Sequence, residues 1–437
     1  MTSNSIQEEA AGADETKSRI AHTTRNFAAV ALSTLIANGV QFLWIIVLAR
    51  IVGDETFGVW SKIAAFVGIA AAIPEFSSNL IVLRDVAQRP DQGGRYLSAT
   101  LILQPILGVI AVLALNVVGL FLNNDAASRT LLFVASLTLI VDTFGTMAHN
   151  QLLAVERMTI MSAITVAYRL LVVALALIAL LLGGSLLQVY EVTILAGVIR
   201  ALMYWWALRR FQIKPVFPVS RQMVRYMLRE SWSVGMGLLL LFTYRYVNTL
   251  IVASVLGNKE NGYFGAAFTI VFGIIELSSS TVLVALSPLM SRLASGNREQ
   301  LRALVDNFSF LTVALALPLG VAISLLAGNL SALLFPGFVG TAAILEVMIW
   351  QGVASMISDI YSQSMTVQGK QNAVFLIRVV GILTNVILNA ILLPQIQGAR
   401  GAAIASLGAQ IVVLALMLRD HQLDSMIQRF GGRYLRI

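Results

Sequence analysis

The sequence predicts an all-α integral membrane protein, with about twelve transmembrane helices in two six-helix halves. Three observations carry this prediction: an apolar composition, a one-sided distribution of basic residues, and a glycine turn that occurs once in each half. Of the 437 residues, 58% are hydrophobic and only 12% are charged. A soluble domain carries about 25% charged residues, so this composition cannot cover a water-facing surface. Apolar runs of roughly 20 residues recur along the chain, the length that crosses a hydrocarbon core of about 30 Å as a helix. The period-2 alternation of a membrane barrel is absent. Helices remain, because in lipid every backbone polar group must be satisfied within the protein.

The spans are read at 26–48, 58–82, 97–122, 130–152, 158–182 and 188–208 in the first half. Those of the second half are 231–256, 262–287, 307–327, 339–364, 372–394 and 400–418. The domain organisation follows: a disordered cytoplasmic tail (1–25), an N-terminal bundle (26–208), a cytoplasmic linker (209–230), a C-terminal bundle (231–418) and a cytoplasmic tail (419–437). The first 24 residues are polar and show no signal-peptide core.

With the N-terminus inside, the cytoplasmic segments hold 21 Lys or Arg. The opposite side holds four: Arg50, Arg129, Lys259 and Arg400. That bias follows the positive-inside rule, supports an even count, and puts both termini in the cytoplasm. It also accounts for the net charge of +8, so no nucleic-acid partner is expected. There is no cysteine, and His22, His149 and His421 are far apart, so no metal or cofactor is expected.

The repeat is read from two turns. Gly53-Asp54-Glu55-Thr56-Phe57-Gly58-Val59-Trp60 separates the first two spans. Gly257-Asn258-Lys259-Glu260-Asn261-Gly262-Tyr263-Phe264 separates the seventh and eighth, 204 residues later. A weaker echo links Pro105-Ile106-Leu107-Gly108-Val109 with Pro318-Leu319-Gly320-Val321. With six spans per half, both halves start on the same side, which makes the repeat parallel. Any short turn between helices also favours glycine, but these two fall at matching places.

Three stretches carry a family likeness. The first span ends Val47-Leu48-Ala49-Arg50-Ile51-Val52-Gly53, followed by Phe57-Gly58-Val59. The eighth ends Ser287-Pro288-Leu289-Met290-Ser291-Arg292-Leu293. The last two join through Leu392-Leu393-Pro394 and Gly398-Ala399-Arg400-Gly401-Ala402-Ala403-Ile404-Ala405. In order and spacing the chain resembles the Wzx-type polysaccharide-transport flippases of the multidrug/oligosaccharidyl-lipid/polysaccharide exporter superfamily. The resemblance implies a multi-pass protein of the bacterial inner membrane, not an enzyme. It implies two six-helix bundles around a central cavity that opens alternately to each side. The implied cargo is a polyprenyl-diphosphate-linked oligosaccharide, carried from the cytoplasmic to the periplasmic leaflet. Membrane lipids and polysaccharide polymerase machinery are the implied partners.

Ionisable residues inside spans are costly and mark functional positions by default. Arg169, Arg200, Arg245 and Arg378 are the candidate substrate-binding residues, because a guanidinium keeps its proton and grips phosphate oxygens with a planar fork. The competing reading pairs each with an acid on a neighbouring helix, and Arg378 is near enough to the cytoplasmic end to snorkel out. Lys62 reads as interfacial. Without a Walker A loop, coupling to a gradient falls to buried acids. The candidates are Glu75 and Glu276 in the second and eighth spans, and Asp142 and Asp359 in the fourth and tenth. Salt bridges to the arginines are the alternative. Glu191 and Glu346 lie near span ends and read as hydrated. His149, two turns after Asp142, reads as a hydrogen-bonded structural residue, with a protonatable pair as the other option. Pro74 and Pro318 are expected to kink their helices. Asn38, Gln41 and Asn248 give their spans polar faces, toward sugars or other helices.

In the linker, Arg221, Arg225 and Arg229 recur every four residues after Pro218 and a Ser220 cap, with Val224, Met227 and Leu228 on another face. That pattern predicts an amphipathic helix on the cytoplasmic membrane surface, either gathering anionic substrate or serving topology and bilayer lipids. Two other function classes compete. An ion-coupled multidrug exporter would have to move cations past arginines. A polysaccharide polymerase or ligase would need a large periplasmic loop, and none is evident.

Overall fold

The computed structural model describes residues 32–76, 79–122 and 126–434. The expected tail at 1–25 and His22 lie outside them. Among the described residues the chain is helical, with no strand. Twelve long helices follow one another. They are α1 (Leu32–Val52), α2 (Asp54–Glu75), α3 (Gly93–Leu122), α4 (Ala126–Ala154), α5 (Met158–Leu181) and α6 (Leu186–Arg210). The rest are α7 (Arg221–Val255), α8 (Asn258–Gly296), α9 (Arg298–Leu325), α10 (Thr341–Val367), α11 (Gln371–Leu392) and α12 (Arg400–Tyr434). Eleven of them are long and apolar enough to cross a membrane. The remaining one, α8, has side chains at 275–285 outside the described residues. The protein is thus a multi-pass membrane protein.

Local chemistry sets several boundaries. Ser185 opens α6 with a capping box: its hydroxyl accepts from Leu187 N at 3.3 Å, and Gln188 Oε1 accepts from Ser185 N at 2.8 Å. Asn297 caps α9 through the amides of Glu299 and Gln300. Pro74 has no N–H to offer one turn back, and α2 breaks at Ala71 before a last turn over Ala72–Glu75. Pro318 leaves α9 helical throughout.

Three expectations about extent are corrected. The second span stops at Glu75 rather than residue 82, and Asn79–Gln88 forms a separate short helix. The linker helix is not a separate element: it starts at Arg221 and runs unbroken into the seventh span, because no glycine or proline interrupts residues 221–234. The segment after residue 418 continues α12 to Tyr434. Lys370 Nζ to Asp420 at 2.8 Å and His421 Nε2 to Asp306 at 2.9 Å anchor its start.

The chain divides into two compact units. The first holds the described residues through Gln41, Ile73–Val112 and Ser136–Trp232. Its core has two clusters. Leu97, Ala148, Leu152, Met161, Ile164, Tyr204 and Leu208 fill the space where α5 and α6 pack. Ile81, Val82, Val86, Tyr96, Leu103 and Met227 gather the short helix 79–88, α3 and the first turns of α7.

The second unit holds Phe42–Ala72, Leu113–Ala135 and Ser233–Ile437. Helix α10 is its hub, packed by α8, α9 and α12, while α11 packs on α12 and α2 on α8. The two glycine turns meet here. Gly53 and Gly257 adopt nearly the same left-handed backbone, φ 78° ψ 173° and φ 90° ψ 179°. A Cβ at Gly58 would fall inside the Asn258 carbonyl, and one at Gly262 inside the Asp54 carbonyl. The approach is reciprocal, and only glycine permits it. Asn261 Nδ2 donates to Gly58 O at 2.8 Å, and Tyr263 OH to Asp54 Oδ2 at 3.0 Å. The two turns that mark the sequence repeat are thus physically one contact.

Outward faces are apolar. Leu113, Leu181, Phe310, Leu315 and Leu325 are all more than 60% exposed. On a soluble protein that surface would aggregate; in a bilayer it is the solvated one.

Candidate functional site

Each unit has its own cavity; Arg169 and Arg200 line the first, and Arg245, Arg378 and Asp359 the second, whereas Glu75 and Asp142 line neither. In the first unit a cavity of about 250 Å³ is bounded by α4, α5 and α6, with Arg169, Arg200, Tyr168, His149 and Thr165 on its walls. Arg200 Nη2 lies 2.6 Å from Asp142 Oδ1. Arg169 Nη1 donates to Gln41 Oε1 at 2.9 Å and lies within the electrostatic reach of Asp142. Tyr168 presents its ring to both cations, at 4.4 Å from Arg200 and 5.9 Å from Arg169. Glu75 is near enough to feel the charge of Asp142. Two arginines and two acids thus gather in this part of the first unit.

His149 sets its ring edge-on to Tyr204, with centroids 5.5 Å apart, and its Nδ1 is 3.4 Å from Asn150 Oδ1. Among the described residues its contacts are these and not Asp142. Gln41, one of the polar residues of α1, is used between helices.

In the second unit a cavity of about 310 Å³ is lined by α7, α8, α10, α11 and α12. It lies at the small end of ligand pockets, roughly 300–1,000 Å³, and has room for a headgroup rather than a whole lipid. Arg245 and Arg378 both line it, against one acid, Asp359, among the described residues. Arg378 Nη2 is 3.7 Å from Asp359 Oδ1 and 3.4 Å from Ser362 Oγ. Arg245 differs. Its guanidinium lies over Phe272, 3.6 Å from the ring centroid, and 5.5 Å from that of Tyr246. Its Nε is buried with no hydrogen-bond partner among the described residues. A desolvated cation over a phenyl face is worth about 2 kcal/mol, and the fork stays open to an anion. The side chain of Glu276 lies outside the described residues.

The rest of this wall consists of hydrogen-bonding side chains on an apolar base. Tyr244 OH donates to Gln410 Oε1, Gln410 Nε2 to Ser358 Oγ at 2.7 Å, and Ser358 Oγ to Ser355 O at 3.0 Å. Asn389 Nδ2 donates to Asn248 Oδ1 at 2.8 Å. Phe264 and Phe268 supply aromatic faces. Amides, hydroxyls and aromatic rings together suit a sugar. Of this set, sequence reasoning reached only Asn248, Asp359 and the two arginines. Gln410 was accessible as an amide in the middle of an apolar span, a costly placement without a partner.

Asp142 and Asp359 sit in corresponding helices, and each faces an arginine in its own unit. The arginines come from non-corresponding helices, α6 and α11, so the repeat in the backbone is not a repeat of the site.

Residues 23–294 match the family described as polysaccharide biosynthesis protein. A protein of Haloferax volcanii, described as a probable low-salt glycan biosynthesis flippase, is 23% identical over 401 residues, covering 91% of this chain and 82% of that protein. Among solved structures, the inward-facing conformation of a multidrug resistance MATE family transporter of the MOP superfamily is similar with a TM-score of 0.69. It is 16% identical and covers 90% of this chain and 95% of that one. A MOP superfamily transporter from Pyrococcus furiosus, for which reverse polarity of the binding pocket is described, has a TM-score of 0.66 at 14% identity. That match covers 92% of this chain and 96% of that one. These structures share the fold, a two-times-six helix membrane transporter.

Proposed function

The chain belongs to the polysaccharide biosynthesis protein family, and from that premise we infer that it is a flippase of lipid-linked glycans. It moves a polyprenyl-diphosphate-linked oligosaccharide from the cytoplasmic to the outer leaflet by alternating access. It sits in the cytoplasmic membrane with both termini inside and hands its product to polysaccharide polymerase machinery. The flippase description of the Haloferax volcanii relative supports this reading, and the site chemistry agrees with it.

The observation that carries it is Arg245. A half-buried guanidinium over Phe272, lining a cavity with two arginines and, among the described residues, one acid, suits an anionic headgroup. Arg378 offers a second positive charge, and the Tyr244–Gln410–Ser358 chain offers partners for sugar hydroxyls. Arg169 and Arg200 are the weaker half of the binding set, since Asp142 and Gln41 already engage them. The acids Glu75, Asp142, Glu276 and Asp359 remain the groups for ion coupling, which would run by breaking the arginine contacts of Asp142 and Asp359. No bond of the cargo is made or broken, so the activity is transport rather than catalysis.

The test is transport of a fluorescent lipid-linked oligosaccharide in proteoliposomes. Arg245→Gln removes a charged fork worth about 1.5–3 kcal/mol, and transport at limiting cargo should fall roughly 10- to 100-fold. Arg245→Lys keeps the charge and loses the fork, and should fall in between. Undiminished transport by Arg245→Gln overturns the assignment. An exporter of organic cations, the competing reading, would instead gain activity when this arginine is neutralised.

A further inference from the structure

The strongest feature that the cavities do not use is the start of α7. Arg221, Arg225 and Arg229 follow at intervals of four, so they share one face, with successive side chains about 6 Å apart along the axis. Ser220 caps this end, accepting from Met223 N at 3.2 Å. The opposite face is pinned. Met227 is fully buried against Ile81, Val86 and Tyr96. Tyr226 OH donates to Asp85 Oδ2 at 2.9 Å and accepts from Arg84 Nη2 at 2.9 Å. The helix therefore cannot roll, and its three arginines are held outward.

None of the three makes an ion pair or hydrogen bond among the described residues, although Glu230 is next to Arg229 in the chain. Together with Val219, Val224, Leu228 and Trp232 they line a shallow, open groove along this one helix, the arginines on one side and the apolar side chains on the other. Trp232 is 65% exposed and Leu228 44%. Fixed cations beside a hydrocarbon strip are the complement of an amphiphile with an anionic head.

We propose that this groove is an intake ledge that binds the diphosphate and the first isoprene units of the cargo before it enters a cavity. The proposal rests on the flippase reading. A bilayer phospholipid carries one phosphodiester charge and occupies one fork. A diphosphate has two phosphoryl groups one bridging oxygen apart and can engage two successive forks at once, which matches the spacing of the arginines. The apolar side takes the adjoining isoprene chain, and the sugars stay in water.

A diazirine-bearing farnesyl diphosphate, added to the full chain in nanodiscs of zwitterionic lipid, localises the binding. Mass spectrometry of the photolabelled protein should find the label in residues 219–232. The variant carrying Arg221→Gln, Arg225→Gln and Arg229→Gln together should lose about 100-fold of that labelling. Arg225→Gln alone should lose about tenfold, and it serves if the triple variant does not fold. Unlabelled farnesyl diphosphate should compete, whereas dihexanoyl phosphatidylglycerol at the same concentration should not. Labelling that persists in the variants overturns the proposal. So does equal competition by the phosphatidylglycerol, which would make the groove a contact for bulk lipid. Arg245→Gln separates the two readings. It should leave ledge labelling intact while lowering transport; if it transports normally while the ledge variants lose label, the cavity assignment fails and the ledge stands.

Discussion

Single residues divide by whether a charge has a counter-charge. Arg200 and Asp142 are joined at 2.6 Å, with Arg200 mostly buried. Removing one partner of such a pair leaves the other uncompensated, at about 3–5 kcal/mol. Arg200→Gln should therefore lower the melting temperature of the detergent-solubilised protein sharply. The double change Arg200→Gln with Asp142→Asn should recover part of the loss. A double variant no more stable than Arg200→Gln alone would show that the pair does not hold the unit together. Arg245→Gln strands no acid among the described residues and gives up only the ring contacts with Phe272 and Tyr246, so it should lower the melting temperature less than Arg200→Gln while it changes transport. The sequence could name these arginines and acids because a charge inside an apolar run is conspicuous. It could not sort them into paired and open, because pairing depends on which helices become neighbours. Arg200 meets an acid 58 positions away, and Arg245 meets the face of Phe272.

At the scale of an element, the short helix Asn79–Gln88 clamps the start of α7. Asp85 receives hydrogen bonds from Arg84 at 2.7 Å, Tyr96 at 2.7 Å and Tyr226 at 2.9 Å. Burial pushes its carboxyl up, but the three donors together outweigh burial and hold it below the usual aspartate range. A depressed carboxylate stabilises the fold above its unfolded value, near 4, and that stabilisation is lost as pH falls through the folded value. Asp85→Asn should therefore melt lower than the wild type at pH 7, and the gap should close as pH drops below about 4. A gap that does not shrink at all as pH falls below about 4 would mean that the carboxylate charge is not what holds the clamp. This element was read into the second span because Leu80, Ile81, Val82 and Leu83 follow its apolar run so closely; only the short stretch Glu75-Phe76-Ser77-Ser78-Asn79 marks the division in the sequence.

The meeting of the two glycine turns is also a property of elements. Gly58→Ala and Gly262→Ala each place a methyl against a backbone carbonyl, which cannot rotate away as a side chain would. Each should cost about 1–3 kcal/mol, read as a loss of thermal stability. A wild-type melting temperature in either variant would mean that the helices do not approach this closely.

For the whole molecule, helix count and the parallel repeat were legible because they rest on length, loop charge and local turn chemistry, while the transporter class was legible only through the family resemblance of three motif stretches. The boundaries were less so. Residues 221–230 of the linker merged into α7 and residues from 419 on into α12, since neither 221–230 nor 419–430 contains a glycine or proline. The site was legible only in its charged members; its hydrogen-bonded wall of Tyr244, Gln410 and Ser358 is assembled from α7, α12 and α10, which no single segment displays.

The contact between Asn261 and the carbonyl of Gly58 spans 203 positions. During synthesis the first turn enters the membrane six helices before its counterpart exists. The adjoining ends of α1 and α2 therefore wait, with a glycine face and a carbonyl unmatched, while α3 to α7 are inserted. Ribosome passage through α8 is the event that lets this first turn be matched, and a chain halted before that point carries an open helix surface for quality-control proteases to recognise.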